Sequence, residues 1–234
     1  GGTLIVPNDK KFLHRWKKMA NGIKVLPVPE KFIAANEKIL STKKIMTFDI
    51  IENIADKKKP KIIPISSSLL GRHNIQNILV CYTCLNDLRE SASMMHKSLK
   101  NMSSSISRQQ IFSWKNKSIL IDDTYNANPE SVKRSLDVLS EFSGRKIFIF
   151  GDMFELGRFR KKHHIDVGLY AHKAKIDKLI TFGELSKLAS KRFQKKSYNF
   201  NDENELKEFL VNFIKKNDIV LIKGSRGMKM ERFI

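Results

Sequence analysis

Two neighbouring carboxylates, Asp122 and Asp123, follow directly on the apolar run Ile119–Ile121, and Tyr125, Asn126 and Asn128 come just after them. An apolar run that stops in acids and turn formers reads as a buried strand that ends, turns and starts a helix. Asn128 suits an N-cap, and Pro129 suits the first helical position, where a missing N–H costs nothing. Open α/β sheets bind ligands just past the C-terminal ends of their strands. At that position this stretch offers acids, carboxamides, a phenol and free helix amides. The same residues also suit a plain strand-to-helix turn with acidic solubilising side chains. Three later stretches have the same form: Gly151-Asp152 with Glu155 close behind, Gly183-Glu184, and Lys223-Gly224-Ser225-Arg226-Gly227. The last can form an amide nest for an anion with two cations beside it. If the strands before them are parallel, all four loops share one sheet edge, with acids at one end and cations at the other. A ligand carrying both an ammonium and a carboxylate matches such an edge. Strand ends are also polar in most proteins, so the pattern alone does not choose.

Other chemistries find less support. The dipeptide Gly-Lys never occurs, so the chain has no phosphate loop of the Gly-Lys-Ser/Thr type, and it has no Gly-x-Gly-x-x-Gly either. His163 and His164 open a helix without a cysteine or carboxylate at metal spacing, and read as surface or supporting residues; no metal site is expected in this chain. Cys81 and Cys84 form a single C-x-x-C inside a helical run, not at a helix start after a strand. They read as small buried helix residues, and reduced thiols suit the cytoplasm.

The elements that must position these groups come from apolar periodicity. In the second half strands and helices alternate: Ile119–Ile121, then a helix 129–142. Strand 146–150 precedes a helix with Val167, Tyr170, Ala171 and Ala174 on one face. Strand 179–182, a short helix 184–193, an edge strand near Tyr198 and a helix opened by Asp202 follow, and strand 219–222 ends the series. Such alternation implies a parallel sheet with right-handed crossovers, an α/β class. In the first half, residues 3–6 and 23–28 read as strands, and 8–19 as a helix packed through Phe12 and Trp16. Residues 30–65 have no clear pattern, Ser66–Ser68 reads as a turn, and a clear helix runs from Gly71 through Leu85, followed by more helix to about Lys100. The Ser-rich stretch 101–107 reads as a connector, with a domain boundary at 107/108.

Composition sets outer limits. Hydrophobic residues make up 41% of the chain, enough for a packed core, and no apolar run approaches the length of a membrane span. The net charge of +20 is spread through both halves, mostly as lysine, so it favours anionic ligands in general over dedicated nucleic-acid binding. Lys57–Lys61 reads as a solvated turn. The chain starts without Met and without a secretory signal, as if in mid-domain.

Four ordered stretches together resemble the Mur ligases: Gly71-Arg72-His73-Asn74-Ile75-Gln76-Asn77, Asp122 through Ser131, Gly151-Asp152-Met153-Phe154-Glu155-Leu156-Gly157, and Val220 to Arg232. They are most similar to the branch whose members join D-alanyl-D-alanine to a UDP-muramoyl tripeptide. The resemblance implies the end of a central ATPase domain over 1–107 and a Rossmann-like C-terminal domain over 108–234. It implies ATP and Mg²⁺ as cofactors, an acyl phosphate attacked by the dipeptide amine, a monomer, and a cytoplasmic enzyme of peptidoglycan synthesis. In that family the phosphate loop, the metal ligands and the UDP-binding domain precede the matched part. By the same resemblance Asn74, Asn77, Arg108 and Asp123 approach the nucleotide, while Asn126, Asn128, Asp152, Glu155, Lys223, Ser225 and Arg226 serve the dipeptide. Ser107-Arg108 stands where the family has Gly-Arg, a departure at that loop. The alternatives are a non-catalytic binding module that keeps the dipeptide domain, another amide ligase of the superfamily such as a folylpolyglutamate synthetase, and, last, a basic nucleic-acid-associated protein.

Overall fold

The computed structural model describes residues 2–40, 45–52, 60–90, 95, 98, 99, 102 and 108–234. They fall into two compact units, Gly1–Met102 and Ser103–Ile234. The expected boundary at 107/108 adjoins residues 103–107, which lie outside the described residues, as do 57–59 of the lysine run.

In the first unit β1 (Thr3–Pro7) and β2 (Lys24–Val28) pair in parallel through α1 (Lys10–Met19). Asp9 caps α1 by accepting the Lys11 N–H. The expected packing through Phe12 and Trp16 needs correction. Their rings stack on each other with centroids 5.7 Å apart, but Phe12 is exposed and Trp16 only half-buried. A helix so rich in lysine, arginine and histidine has too little apolar surface to bury a face.

The patternless stretch is an antiparallel meander of β3 (Phe32–Leu40), β4 (Ile45–Glu52) and β5 (Lys61–Ser67). Met46, Phe48 and Ile50 alternate into the core opposite Ile63, Ile65 and Ser67. The turn expected at Ser66–Ser68 is corrected by this pairing, since β5 runs on to Ser67, opposite Met46. Helix α2 (Arg72–Asp87) buries Ile75, Ile78, Leu79 and Tyr82, and the Tyr82 ring meets Phe32 edge-on at 4.7 Å. It ends at Asp87, where Arg89 takes a left-handed φ of 60° just beyond, and residues 95, 98 and 99 are helical again, as the further helix towards Lys100 requires. Cys81 is exposed and Cys84 half-buried, against the expected burial of both. Thr83 faces inward instead, and its hydroxyl donates to the Leu79 carbonyl at 2.8 Å. Burial pushes the Cys84 thiol above its ordinary pKa.

The second unit is a six-stranded sheet in the order β10-β9-β8-β11-β7-β6. Its strands are β6 (Gln110–Ser113), β7 (Ile119–Asp123), β8 (Lys146–Gly151), β9 (Lys178–Phe182), β10 (Ser197–Phe200) and β11 (Ile219–Lys223). All neighbours are parallel except β6, an antiparallel edge strand that the alternation did not foretell. The helices are α3 (Pro129–Ser140), α4 (Arg160–Lys173), α5 (Lys187–Ser190) and α6 (Glu203–Phe213). The expected helix 184–193 is regular only over α5. On one face Leu120, Ile147, Ile149, Ile180, Val220 and Ile222 form a core with Leu206 and Leu210 of α6 and with Met230 and Phe233. Their neighbours in sequence, Ile121, Phe148, Phe150, Leu179 and Leu221, are buried too, so the strands are covered on both sides, as a parallel sheet requires. Helices α4 and α5 approach closely at Gly168, where an added Cβ would lie 2.1 Å from the Ala189 carbonyl oxygen.

Candidate functional site

Because β9, β8, β11 and β7 run in parallel, their C-terminal loops do share one edge. The order along that edge differs from the expected one. Strand β11 is inserted between β8 and β7, so the loop with Lys223 and Arg226 lies between the acidic loops and not at one end. Chain order suggested the end; the crossover back into the sheet decides the middle.

Burial divides the expected site residues in two. Lys223 is 2% exposed and Asp123 7%. They stand in register on β11 and β7, with Nζ 2.7 Å from Oδ2. Lys223 also donates to the Asn126 carbonyl at 2.8 Å, and Ser135 donates to the same Asp123 oxygen at 2.5 Å. The cation expected to be free at 223 is thus a paired one that ties β7, α3 and the 124–128 loop together. Asp122 turns back on the chain, accepting from the Thr124 N–H and hydroxyl. Asp152 is buried as well, and its carboxylate takes the Ser186 and Leu185 amides at 2.6 and 3.2 Å, anchoring the loop after β9. An added Cβ at Gly183 would lie 2.6 Å from that carboxylate, which explains glycine there at a φ of 118°.

Ser225 is the joint between loops. Its hydroxyl accepts the Phe154 N–H at 2.7 Å and donates towards the Ala127 carbonyl at 3.4 Å, while its own N–H donates to the Asp152 carbonyl at 2.9 Å. His164, read above as a supporting residue, is fully buried. Its Nε2 accepts the Met153 N–H at 2.9 Å, so Nδ1 carries the proton and donates to the Arg160 carbonyl at 2.7 Å. Burial holds the imidazole below its ordinary pKa, outweighing the Arg160 carbonyl and the Asp152 charge, which act the other way.

The exposed members are those able to meet a ligand. Asn126 is exposed, though its Oδ1 accepts the adjacent Ala127 N–H. Asn128 caps α3 in a reciprocal box with Ser131, as its position foretold. Glu155 is exposed at a left-handed φ of 62°. The Arg226 side chain is 61% exposed and reaches Glu231 at 3.0 Å, an ion pair that solvent weakens. Tyr125 and Phe154 are exposed aromatics on the same edge, and the Arg108 guanidinium lies 4.2 Å from the Tyr125 ring centroid. Phe154 and the Arg108–Tyr125 stack were missed by the sequence reading. An aromatic inside a polar loop motif was the available signal.

In the first unit Asn74 donates to the Leu70 carbonyl at 2.8 Å, and Asn77 donates to Asn74 at 3.4 Å, so these two carboxamides order the start of α2. Among the described residues no three His, Cys, Asp or Glu side chains stand together as a metal site. With the Asp123 carboxylate paired internally and no Gly-Lys phosphate loop, these residues do not by themselves fit a Mg²⁺-triphosphate. At the strand ends they set an exposed acid, Glu155, and an exposed cation, Arg226, on neighbouring loops. Among the described residues no helix is long and apolar enough to cross a membrane.

Residues 107–226 match the family model described as Mur ligase, glutamate ligase domain, and the chain belongs to the Mur ligase family. Within it, the chain is 30% identical over 229 residues to the UDP-N-acetylmuramoyl-tripeptide–D-alanyl-D-alanine ligase of Buchnera aphidicola subsp. Baizongia pistaciae, covering 90% of this chain and 50% of the relative. It is 29% identical to the enzyme of that name from Haemophilus influenzae, over 100% of this chain and 50% of the relative. A crystal structure of MurF from Acinetobacter baumannii superposes with a TM-score of 0.84 at 25% identity, covering 99% of this chain and 50% of that one. MurF from Thermotoga maritima, solved in complex with ADP, shares the fold with a TM-score of 0.79 at 22% identity. The chain spans about half the length of the curated relatives it matches.

Proposed function

We propose that this chain is the dipeptide-binding half of an ATP-dependent carboxylate–amine ligase, which adds D-alanyl-D-alanine to a UDP-muramoyl tripeptide in cytoplasmic peptidoglycan synthesis. On this reading residues 1–107 are the end of the central ATP-binding domain and 108–234 the C-terminal domain. What carries it is the convergence of the 124–128, 152–155 and 224–227 loops at one sheet edge, in a chain of this family. Glu155 offers the exposed acid for the dipeptide ammonium and Arg226 the exposed cation for its carboxylate, with Asn126 and Asn128 beside them. Lys223, Asp123, Asp152 and Ser225 hold these loops in place from below. Asn74, Asn77 and Arg108 belong to the nucleotide side. Activation of the tripeptide carboxylate by ATP and Mg²⁺ falls to residues outside the strand-end loops. The loops' own part is to fix the dipeptide amine as a nucleophile and to keep its neutral, attacking form oriented.

Titration of D-alanyl-D-alanine into the 234-residue chain, followed by amide NMR, tests this. Shifts should gather at residues 124–128, 152–155 and 224–227. Arg226→Ala should weaken binding roughly tenfold to a hundredfold, the worth of one charge-assisted hydrogen bond. Shifts confined to other residues, or an Arg226→Ala variant that binds as before, would remove the reading.

A further inference from the structure

We infer that Phe154 reads the side-chain methyl groups of the dipeptide and makes the edge selective for alanyl over glycyl residues. This rests on the dipeptide reading above and adds to it the source of side-chain selectivity. Apart from Phe154, and from Tyr125 whose ring lies against the Arg108 guanidinium, the exposed side chains of these loops are polar, and polar groups that hold an ammonium and a carboxylate bind any dipeptide alike. A side chain that discriminates must present fixed apolar surface between the two charged ends.

Phe154 meets that requirement by its position. It is 43% exposed, so much of its ring surface is open to a ligand. Its backbone is not free to swing, because its N–H donates to the buried Ser225 hydroxyl at 2.7 Å. The ring is seated as well: a Cβ built on Gly227 would lie 2.9 Å from Phe154 Cε2 and 3.3 Å from Cδ2. Glycine at 227 is therefore the floor on which the ring rests. Glu155 follows Phe154 in the chain and Arg226 precedes Gly227, so the ring belongs to the same two neighbouring loops as the exposed acid and the exposed cation. Glu155 takes a left-handed φ, a conformation uncommon for a non-glycine residue, which turns the chain immediately after the ring. An alanyl-alanine zwitterion carries its methyl groups between ammonium and carboxylate, and the exposed ring offers an apolar surface on the two loops that carry the acid and the cation.

Burying one methyl group contributes about a fourfold preference, so covering both gives about fifteenfold over a dipeptide without side chains. The experiment compares D-alanyl-D-alanine with glycyl-glycine on this chain by NMR titration, for the natural sequence, Phe154→Ala and Phe154→Leu. The natural chain should prefer the alanyl dipeptide about fifteenfold. Phe154→Ala should bring the two affinities together by weakening the alanyl dipeptide alone, and Phe154→Leu should keep most of the preference. Unchanged spectra of the strand residues would show that both variants fold. A preference that survives Phe154→Ala, or a variant that weakens both dipeptides equally, overturns the inference while leaving the dipeptide site standing. Failure of the natural chain to bind either dipeptide removes the site and this inference together.

Discussion

Lys223 and Asp123 face each other in register on neighbouring parallel strands, with Nζ 2.7 Å from Oδ2 and both side chains nearly out of solvent. Two charges that look like ligand-binding groups in the sequence are thereby spent on the scaffold. The pair fixes the ends of β11 and β7, and through the Asn126 carbonyl it also fixes the loop that follows β7. A buried pair of this kind is a weak source of stability in itself, because desolvation offsets much of the attraction. Removing one partner is a different matter, since it leaves the other charge buried and alone.

The first expectation follows from that asymmetry. Lys223→Met should destabilise the second unit by about 3–5 kcal/mol, and Asp123→Leu alone by a similar amount. The double variant should recover most of the loss. Urea unfolding monitored on the strands of that unit measures all three. Two single losses that simply add in the double variant would show that the charges are not coupled.

His164 gives the fold a pH dependence whose sign is fixed by its hydrogen bonds. The neutral ring accepts from Met153 at Nε2, and protonation would turn that nitrogen into a second donor facing an N–H. Burial accordingly lowers its pKa in the folded chain below the ordinary 6.5. Below 6.5 the unfolded chain binds a proton that the folded chain does not, so acid favours unfolding. This contribution to stability is complete above 6.5 and declines as pH falls from there towards the lower folded value. Thermal midpoints measured from pH 7 downwards should fall more steeply for the natural chain than for His164→Gln, which should be less stable at neutral pH. Parallel curves for the two proteins would assign the acid sensitivity to other groups.

Much of the second unit was legible because parallel strands covered on both faces leave continuous apolar runs, such as Ile147–Phe150 and Ile219–Ile222, that can be read one by one. The helix start at Asn128-Pro129 was equally plain, since capping chemistry is local. Strand order is not local. Nothing in residues 219–223 announces that they insert between β8 and β7, and that insertion moves the cations from the end of the edge to its middle. Nor does a carboxylate announce its partner: Asp123 and Asp152 have the residue type of ligand-binding acids, and only the packed structure shows one held by Lys223 and the other by backbone amides.

The meander of the first unit stayed unread for another reason. One face of β4 does alternate, with Met46, Phe48 and Ile50 inward, but β3 carries Asn36, Glu37 and Lys38 in mid-strand and its pairing with β4 shifts register between Ala35 and Lys38. A bulge of that kind breaks the period-two signal on which a strand assignment depends.

Ser225 carries the last expectation, which links loop order to binding. Its hydroxyl is the acceptor for the Phe154 N–H and the donor towards the Ala127 carbonyl, while its amide holds the Asp152 carbonyl, so one buried residue joins three loops of the edge. Ser225→Ala keeps the amide bond and removes only the hydroxyl. The Phe154 N–H then loses its acceptor within the fold, in a bond that is only partly buried. The loss in global stability should therefore be modest, about 1 kcal/mol, nearer the net worth of a hydrogen bond than the cost of an orphaned buried group. The local effect should be larger. Hydrogen exchange at the Phe154 amide should quicken roughly tenfold or more, whereas Ile149 and Leu221 in the strand core should keep their protection. Dipeptide binding should weaken along with it, because the loops must then be ordered at the moment of binding and that ordering costs affinity. Exchange at Phe154 unchanged from the natural chain would mean that the loop is held by its other contacts and that the Ser225 hydroxyl is not the joint.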